Sequence, residues 1–237
     1  MKKDLTYYKK ELKTKQQQID IFKEISQSIN YNWDLKEILL SIVKIVSNYM
    51  NSDSCFIYLV ENNNLVLYAS QTHHKNALGK VKIKIGEGIT GWVAQEKQKV
   101  VINSRAYQDE RFKVLLPEDK YEAFVSVPIF FKDEVIGVIN VQNIKSKRYD
   151  KDKVNFLEII ANQVGAAIEN SRLMSETNFL KEALETRKII DRAKSILIAK
   201  NNLSEDAAHK LLHKKSMDKR KSVREVAEAV ILASEVL

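Results

Sequence analysis

Apolar residues fall at Leu5, Tyr8, Leu12, Ile19, Phe22 and Ile29 on a polar background, the a and d positions of one heptad register interrupted at Lys15 and Ser26. Steps of three and four predict a helix carrying a coiled-coil seam, or one packed along a domain. Asp34 then starts a second helix to about Met50, with Glu37 three residues on at capping-box spacing. Past Met50 the period changes. Ser54 to Val60 reads as an apolar, aromatic strand, and Leu65 to Ser70 as its partner across the Asn62-Asn63-Asn64 turn. Val81, Ile83 and Ile85 alternate with lysines, as in a strand with one face in water. Gly86 to Gly91 is a glycine-rich turn into a short helix over Trp92 to Glu96, and Val100 to Ile102 is a brief strand. Residues 103–122 read as loop and short helix. Phe124 to Phe131 and Glu134 to Gln142 form a second hairpin turning at Lys132-Asp133. Asp150 caps a long helix with the stripe Val154, Leu157, Ile160, Ala161, Val164, Ala167 and Ile168. The stripe thins to Leu173, Leu180 and Leu184, with no residue that forces a break.

The last fifty or so residues read as three short helices. Ile189, Ile190, Ala193, Ile196 and Leu197 make the first stripe, ended by Asn201-Asn202. Ser204 is the N-cap of the next, with Glu205 and Asp206 at its positive end and Leu211, Leu212 and Met217 as apolar anchors. Ser222 caps the third, Glu225 completes a capping box, and Val223, Val226, Ala227, Val230 and Ile231 form the buried stripe. One apolar stripe per helix makes a small bundle, in which Met217 packs and Lys194 is a solvated stem.

Composition adds charge to this picture. The chain has 237 residues, 44% hydrophobic and 30% charged, an ordinary folded class with room for two modest domains. Its net charge of +8 favours a polyanionic partner. The cations crowd one corner of the C-terminal unit: Lys210, Lys214, Lys215, Lys219, Arg220, Lys221 and Arg224 against Asp218. Solvated helix faces account for part of the excess, but crowding at one join points to phosphates. Cys55 is the only cysteine, so no intramolecular disulfide or thiolate cluster is expected. His73 and His74 lack nearby ligands, and neither a metal nor a cofactor is expected. The N-terminal residues lack an apolar run and the Ile38 to Met50 stretch is too short to span a bilayer, so no membrane partner and a cytoplasmic location are expected. No nucleophile sits with a histidine and an acid in a recognisable motif, so no catalysis is expected.

From about Asn30 to Leu173 the chain resembles a GAF domain. The resemblance rests on Ile85-Gly86-Glu87-Gly88-Ile89-Thr90-Gly91-Trp92-Val93-Ala94, then Ser126-Val127-Pro128-Ile129, Val135-Ile136-Gly137-Val138-Ile139, and the closing helix Leu157 to Asn170. It implies an α+β fold, an antiparallel sheet with helices on one face and a small-molecule pocket on the other, and end helices that pair between subunits. Val125, Val127 and Ile129 suit the helix face, while Phe124 and Ser126, and Asn140 with Gln142, occupy the other. Tyr58, Tyr68, Phe124, Ser126 and Asn140 are the candidate pocket residues; the amides and hydroxyls equally suit a role in satisfying loop backbone. Asn103 is followed by Ser104 and Phe112 lacks a properly spaced Asp-Glu, unlike cyclic-nucleotide-binding members. Cys55 precedes Phe56 rather than a histidine, unlike bilin-binding members. A vestigial pocket serving dimerisation remains the alternative.

The C-terminal unit resembles an ANTAR domain. It carries Ile189-x-x-x-Ala193-Lys194-x-Ile196-Leu197, Leu203-Ser204-Glu205-x-x-Ala208, Leu212-His213-x-x-Ser216-Met217 and Val223-Arg224-Glu225-Val226-Ala227. That resemblance implies binding of hairpin RNA in nascent leaders and transcription antitermination. Ser195 stands where the family usually has glycine, His209 where it prefers an aromatic, and His213 where it usually has arginine. The expected RNA-binding set is His209, His213, Lys214, Ser216, Lys219, Arg220, Lys221 and Arg224. The expected organisation is an N-terminal helix over 1–29, a GAF sensor over 30–172, a helical linker over 173–186 and the ANTAR bundle over 187–237, paired as a homodimer. A DNA-binding regulator with the same sensor and a GAF-based protein-interaction module are the rival readings.

Overall fold

The computed structural model describes residues 2–31, 34–71, 77–113 and 121–235; His73 and His74 lie outside them. Contacts divide the chain into two units, Met1–Ser171 and Arg172–Leu237. The first begins with α1 (Lys2–Tyr31) and α2 (Leu35–Met50). Next come β1 (Ser54–Glu61), β2 (Asn64–Ser70), β3 (Lys82–Lys84), α3 (Gly88–Glu96) and β4 (Val100–Ile102). A 3-10 turn at Ala106–Gln108 precedes β5 (Ala123–Phe131), β6 (Glu134–Asn143) and α4 (Lys151–Asn201). The strands form one six-stranded sheet in the order β3-β2-β1-β6-β5-β4. Every pairing is antiparallel.

Both sheet faces are covered, so β1 reads as an unbroken apolar run rather than an alternation. On one face Leu39, Ile42 and Val46 of α2 and Leu157, Ile160 and Val164 of α4 pack on Ile57, Val125, Val127, Ile129, Ile139 and Val141. Gly165 is required there, because a Cβ would overlap the Phe130 carbonyl oxygen. On the other face Ile89, Val93 and Ala94 of α3 cover Phe56, Tyr58, Leu67, Phe124 and Val138. Asp34 caps α2 by accepting from the Lys36 N–H at 2.9 Å, and Asp150 caps α4 through the Asp152 N–H at 2.9 Å.

Three elements differ from the sequence reading. The α3 helix starts at Gly88 rather than Trp92, so much of the glycine-rich segment is helix and the turn contracts to Gly86-Glu87. In α1 the residue that reaches full burial is Ile25, flanked by the partly buried Ile21 and Ile29. The heptad residues Tyr8, Leu12, Ile19 and Phe22 stay exposed, at 59, 69, 50 and 38%. The β1–β2 register slips between Ile57 and Tyr58, pairing Ile57 with Ala69 and Tyr58 with Leu67. Tyr68 is the extra residue of this bulge; it lies opposite Leu65 and Leu67 by ordinary alternation, and the bulge brings Ala69 to the same α2/α4-covered side.

The second unit comprises the later turns of α4 with α5 (Glu205–Lys219) and α6 (Val223–Glu235). Ala193, Leu212 and Ala227 are its buried centre, ringed by Ile189, Ile190, Leu197, Val223, Val226, Val230 and Ile231. Its small central residues let three helices approach closely. No helix among the described residues is long and apolar enough to cross a membrane.

Candidate nucleic-acid interface and sensor cavity

Local caps define the helix ends of the C-terminal bundle. Ser204 Oγ accepts from the Ala207 N–H at 3.2 Å. The Glu225 carboxylate accepts from the Ser222 N–H at 2.7 Å while Ser222 Oγ accepts from the Glu225 N–H at 3.2 Å, a closed capping box. The Ser222 backbone N–H, and then its hydroxyl, hold the Glu225 carboxyl below the usual range. Between these helices Arg220 takes the left-handed conformation at φ 51°, and its N–H bonds back to Met217 and Ser216. Ser216 Oγ donates to the Lys221 carbonyl at 2.7 Å, so that hydroxyl closes the turn.

The cations of this unit fall into two classes. Lys194 is 16% exposed and bridges Asp191 at 2.8 Å and Glu205 at 3.1 Å, tying α4 to α5. It is a partly buried cross-link rather than a solvated stem. Lys210 is paired with Asp206 at 2.6 Å. Arg224 Nε donates to Glu228 at 2.9 Å, which raises its pKa; Glu185 and Glu182 of α4 act in the same direction. By contrast Lys214, Lys215, Lys219, Arg220 and Lys221 are exposed and have no ion-pair partner among the described residues. His209 and His213, one turn apart, place ring centroids 4.4 Å from each other at a 52° tilt. Met217 extends that face at 72% exposure; the anchors of α5 are Ala208 and Leu212 instead. The exposed side of α5 is therefore flat, soft side chains flanked by uncommitted cations.

The sheet carries a second site under α3. A cavity of about 30 Å³ is lined by Phe56, Tyr58, Phe112, Tyr121 and Phe124, with Thr90 and Gln142 as polar groups and Glu87 and Lys113 at one side. Such a volume holds about one water rather than a metabolite. Lys113 bonds Glu87, and that bond is the largest influence holding the Glu87 carboxyl low. Of the predicted pocket residues, Tyr58 and Phe124 line the cavity. Ser126 and Asn140 lie beneath it: Ser126 Oγ donates to Asn140 Oδ1 at 2.7 Å, and Asn140 Nδ2 donates to Thr90 Oγ1 at 2.8 Å. This buried relay anchors the first turn of α3. Tyr68 is elsewhere, its hydroxyl donating to Glu61 on the helix-covered side. Gln142 Oε1 is buried with no hydrogen-bond partner among the described residues. The two-residue step from Asn140 to Gln142 was the signal for it; nothing in sequence spacing signalled Thr90, Glu87 or Lys113.

The fold and its two sites define a two-module class: a double-covered antiparallel sheet with a small internal cavity, joined by one helix to a cationic three-helix bundle. The chain belongs to the GAF domain family, whose model matches residues 33–169, and an ANTAR domain follows, matching residues 179–231. It is 28% identical over 219 residues to a dual 3',5'-cyclic-AMP and -GMP phosphodiesterase 11A of Takifugu rubripes, covering 86% of this chain and 23% of that relative. Its C-terminal part is 40% identical over 63 residues to the transcriptional regulatory protein PdtaR of Mycobacterium tuberculosis, covering 27% of this chain and 31% of that one. Among solved structures, the GAF domain of an Acinetobacter phosphoenolpyruvate-protein phosphotransferase superposes with TM-score 0.61 at 28% identity, over 67% of this chain and 97% of that one. The chain thus spans a minor part of the curated relatives it matches.

Proposed function

We propose that the chain is a signal-responsive transcription antitermination regulator. Its ANTAR bundle binds hairpin RNA in nascent leaders, and its GAF domain senses a small molecule or a partner. The observation that carries this reading is the exposed face of α5, where unpaired lysines and Arg220 flank the adjacent His209–His213 rings. Hairpin RNA offers what such a face takes, phosphates and splayed bases. The reading assigns no catalysis to the chain; the phosphodiesterase it matches shares it over 23% of its own length. It also places the protein in the cytoplasm, where leaders are transcribed.

The active species in this reading is a homodimer. Ile159, Ala166, Leu173 and Leu180 recur every seven residues on α4 and are exposed, with Leu184 four residues on. That is the spacing of a two-stranded seam.

Gel shift against a two-hairpin leader RNA tests the assignment, with Lys214, Lys219 and Lys221 changed together to alanine. With about four phosphate contacts per subunit, the wild-type log–log salt slope is near −3, at roughly −0.7 per phosphate. Unchanged affinity in the triple variant would remove RNA from this face, and preferential capture of duplex DNA in competition would replace the reading with a DNA-binding one.

A further inference from the structure

The basic corner does not account for a second feature of the C-terminal unit. Between α4 and α5 lies an open cleft of about 590 Å³, within the size range of small-molecule sites. Phe179, Ala183 and Ile190 give it an apolar wall, and His209 closes it from α5. Phe179 is 71% exposed and contributes nothing to the bundle core. The charges lining the cleft cancel: Arg187 and Lys194 face Glu182 and Asp191, and Lys194 is already held by Asp191 and Glu205. Such a cleft is poorly suited to a phosphate. It suits a flat, uncharged group with a polar edge, which aromatic rings stack against and Thr186, Asp191 and Arg187 hydrogen-bond.

We infer that this cleft seats one unstacked base of the RNA loop, so that the unit divides its ligand, phosphates to the uncommitted cations and a base to the cleft. This rests on the RNA-binding reading above. His209 belongs to both halves, since it lines the cleft and meets the His213 ring along the exposed face of α5. From His209 to Lys219 is about 15 Å at the helical rise, so the two halves meet different nucleotides of one hairpin. Base–aromatic stacking is sequence-tolerant and strong enough to matter, about tenfold or more in affinity for one ring. The seam residues Leu173, Leu180 and Leu184 do not themselves line the cleft, although Arg187 and Asp191, seven residues beyond Leu180 and Leu184, do.

The test uses the full-length chain and hairpin RNAs enriched by it from a pool with randomised loops. Phe179→Ala is expected to weaken the enriched hairpin about tenfold, to leave binding of loop-free duplex RNA and the salt slope unchanged, and to be rescued by Phe179→Tyr. Thio-substituted loop bases are expected to crosslink within residues 179–194. Phe179 is exposed, so the variant keeps its fold, which circular dichroism checks. Wild-type affinity in Phe179→Ala with crosslinks confined to residues 214–221 would overturn the cleft assignment and leave the RNA reading standing. A change in sedimentation mass in Phe179→Ala would make the cleft a contact between copies and overturn it too. Failure to enrich any RNA would sink both.

Discussion

Cations close together in sequence differ in what the fold leaves them free to do. Arg224 looks like Lys219 in a charge count, but it donates to Glu228 with Glu185 and Glu182 nearby. The acids that neutralise it come from a neighbouring helix and from its own next turn, and residue spacing reveals only the second. Lys219→Ala is therefore expected to flatten the salt slope of RNA binding by about 0.7, whereas Arg224→Ala leaves the slope unchanged; titrations at several salt concentrations measure both. Cys55 gives a second residue-level prediction. It is fully buried on the helix-covered face, and burial pushes its thiol well above the usual range. The native protein is expected to show no thiol reactive to a disulfide reagent at pH 8, and one on unfolding. Reaction in the native state at the unfolded rate would refute the packing described here.

At the scale of elements, the apolar pattern was legible and its interruptions were not. Covered strands, the long helix and the capped helices of the bundle follow from runs of apolar and capping residues that act locally. The bulge in β2 was hidden, because a slip of one residue leaves composition unchanged while moving Ala69 to the face that Tyr68 already occupies. Likewise, sequence shows Ser126 and Asn140 as polar groups on one sheet face, but their use depends on Thr90, which is 50 residues distant from Asn140. Asn140→Ala would leave two buried hydroxyls without their partner and is expected to cost about 1–3 kcal/mol in denaturant unfolding. The capping box of α6 is a milder case: Ser222→Ala is expected to cost about 1 kcal/mol, because only the two bonds of the Ser222 hydroxyl with Glu225 are lost at an exposed end while the Ser222 N–H still donates to the Glu225 carboxylate.

At the scale of the molecule, α4 is the dominant fact. One helix of 51 residues serves as a core element in the first unit and as a bundle element in the second. Its sequence announced this by omission, with neither proline nor glycine between Ser171 and Thr186. The surface it leaves uncovered includes an apolar row at Ile159, Leu173, Leu180 and Leu184, exposed at 51, 48, 59 and 54%. Leu173→Asp with Leu180→Asp is expected to halve the mass measured by sedimentation without loss of helical signal, and an unchanged mass would remove α4 from the dimer contact. Heptad spacing suggested pairing along α1 and the GAF resemblance implied it for the end helices, yet single-chain packing cannot distinguish a seam from a solvated stripe, because both leave the same side chains exposed.

The left-handed positions have one more consequence, for how this protein could be hardened. The chain has six glycines, and several helix ends fall instead on Asn51, Lys97, Asn202 and Arg220, all at φ between 51° and 57°. A residue with a Cβ pays about 1 kcal/mol to sit there, less for asparagine. Thermal tolerance is therefore obtainable without touching either core, with Lys97→Gly the largest single increment and Asn51→Gly and Asn202→Gly smaller ones. Arg220 is the exception. Glycine there would relax the backbone and delete a cation from the α5–α6 turn, so a melting curve and a binding curve would move in opposite directions. Durability and grip are traded against each other at that one position.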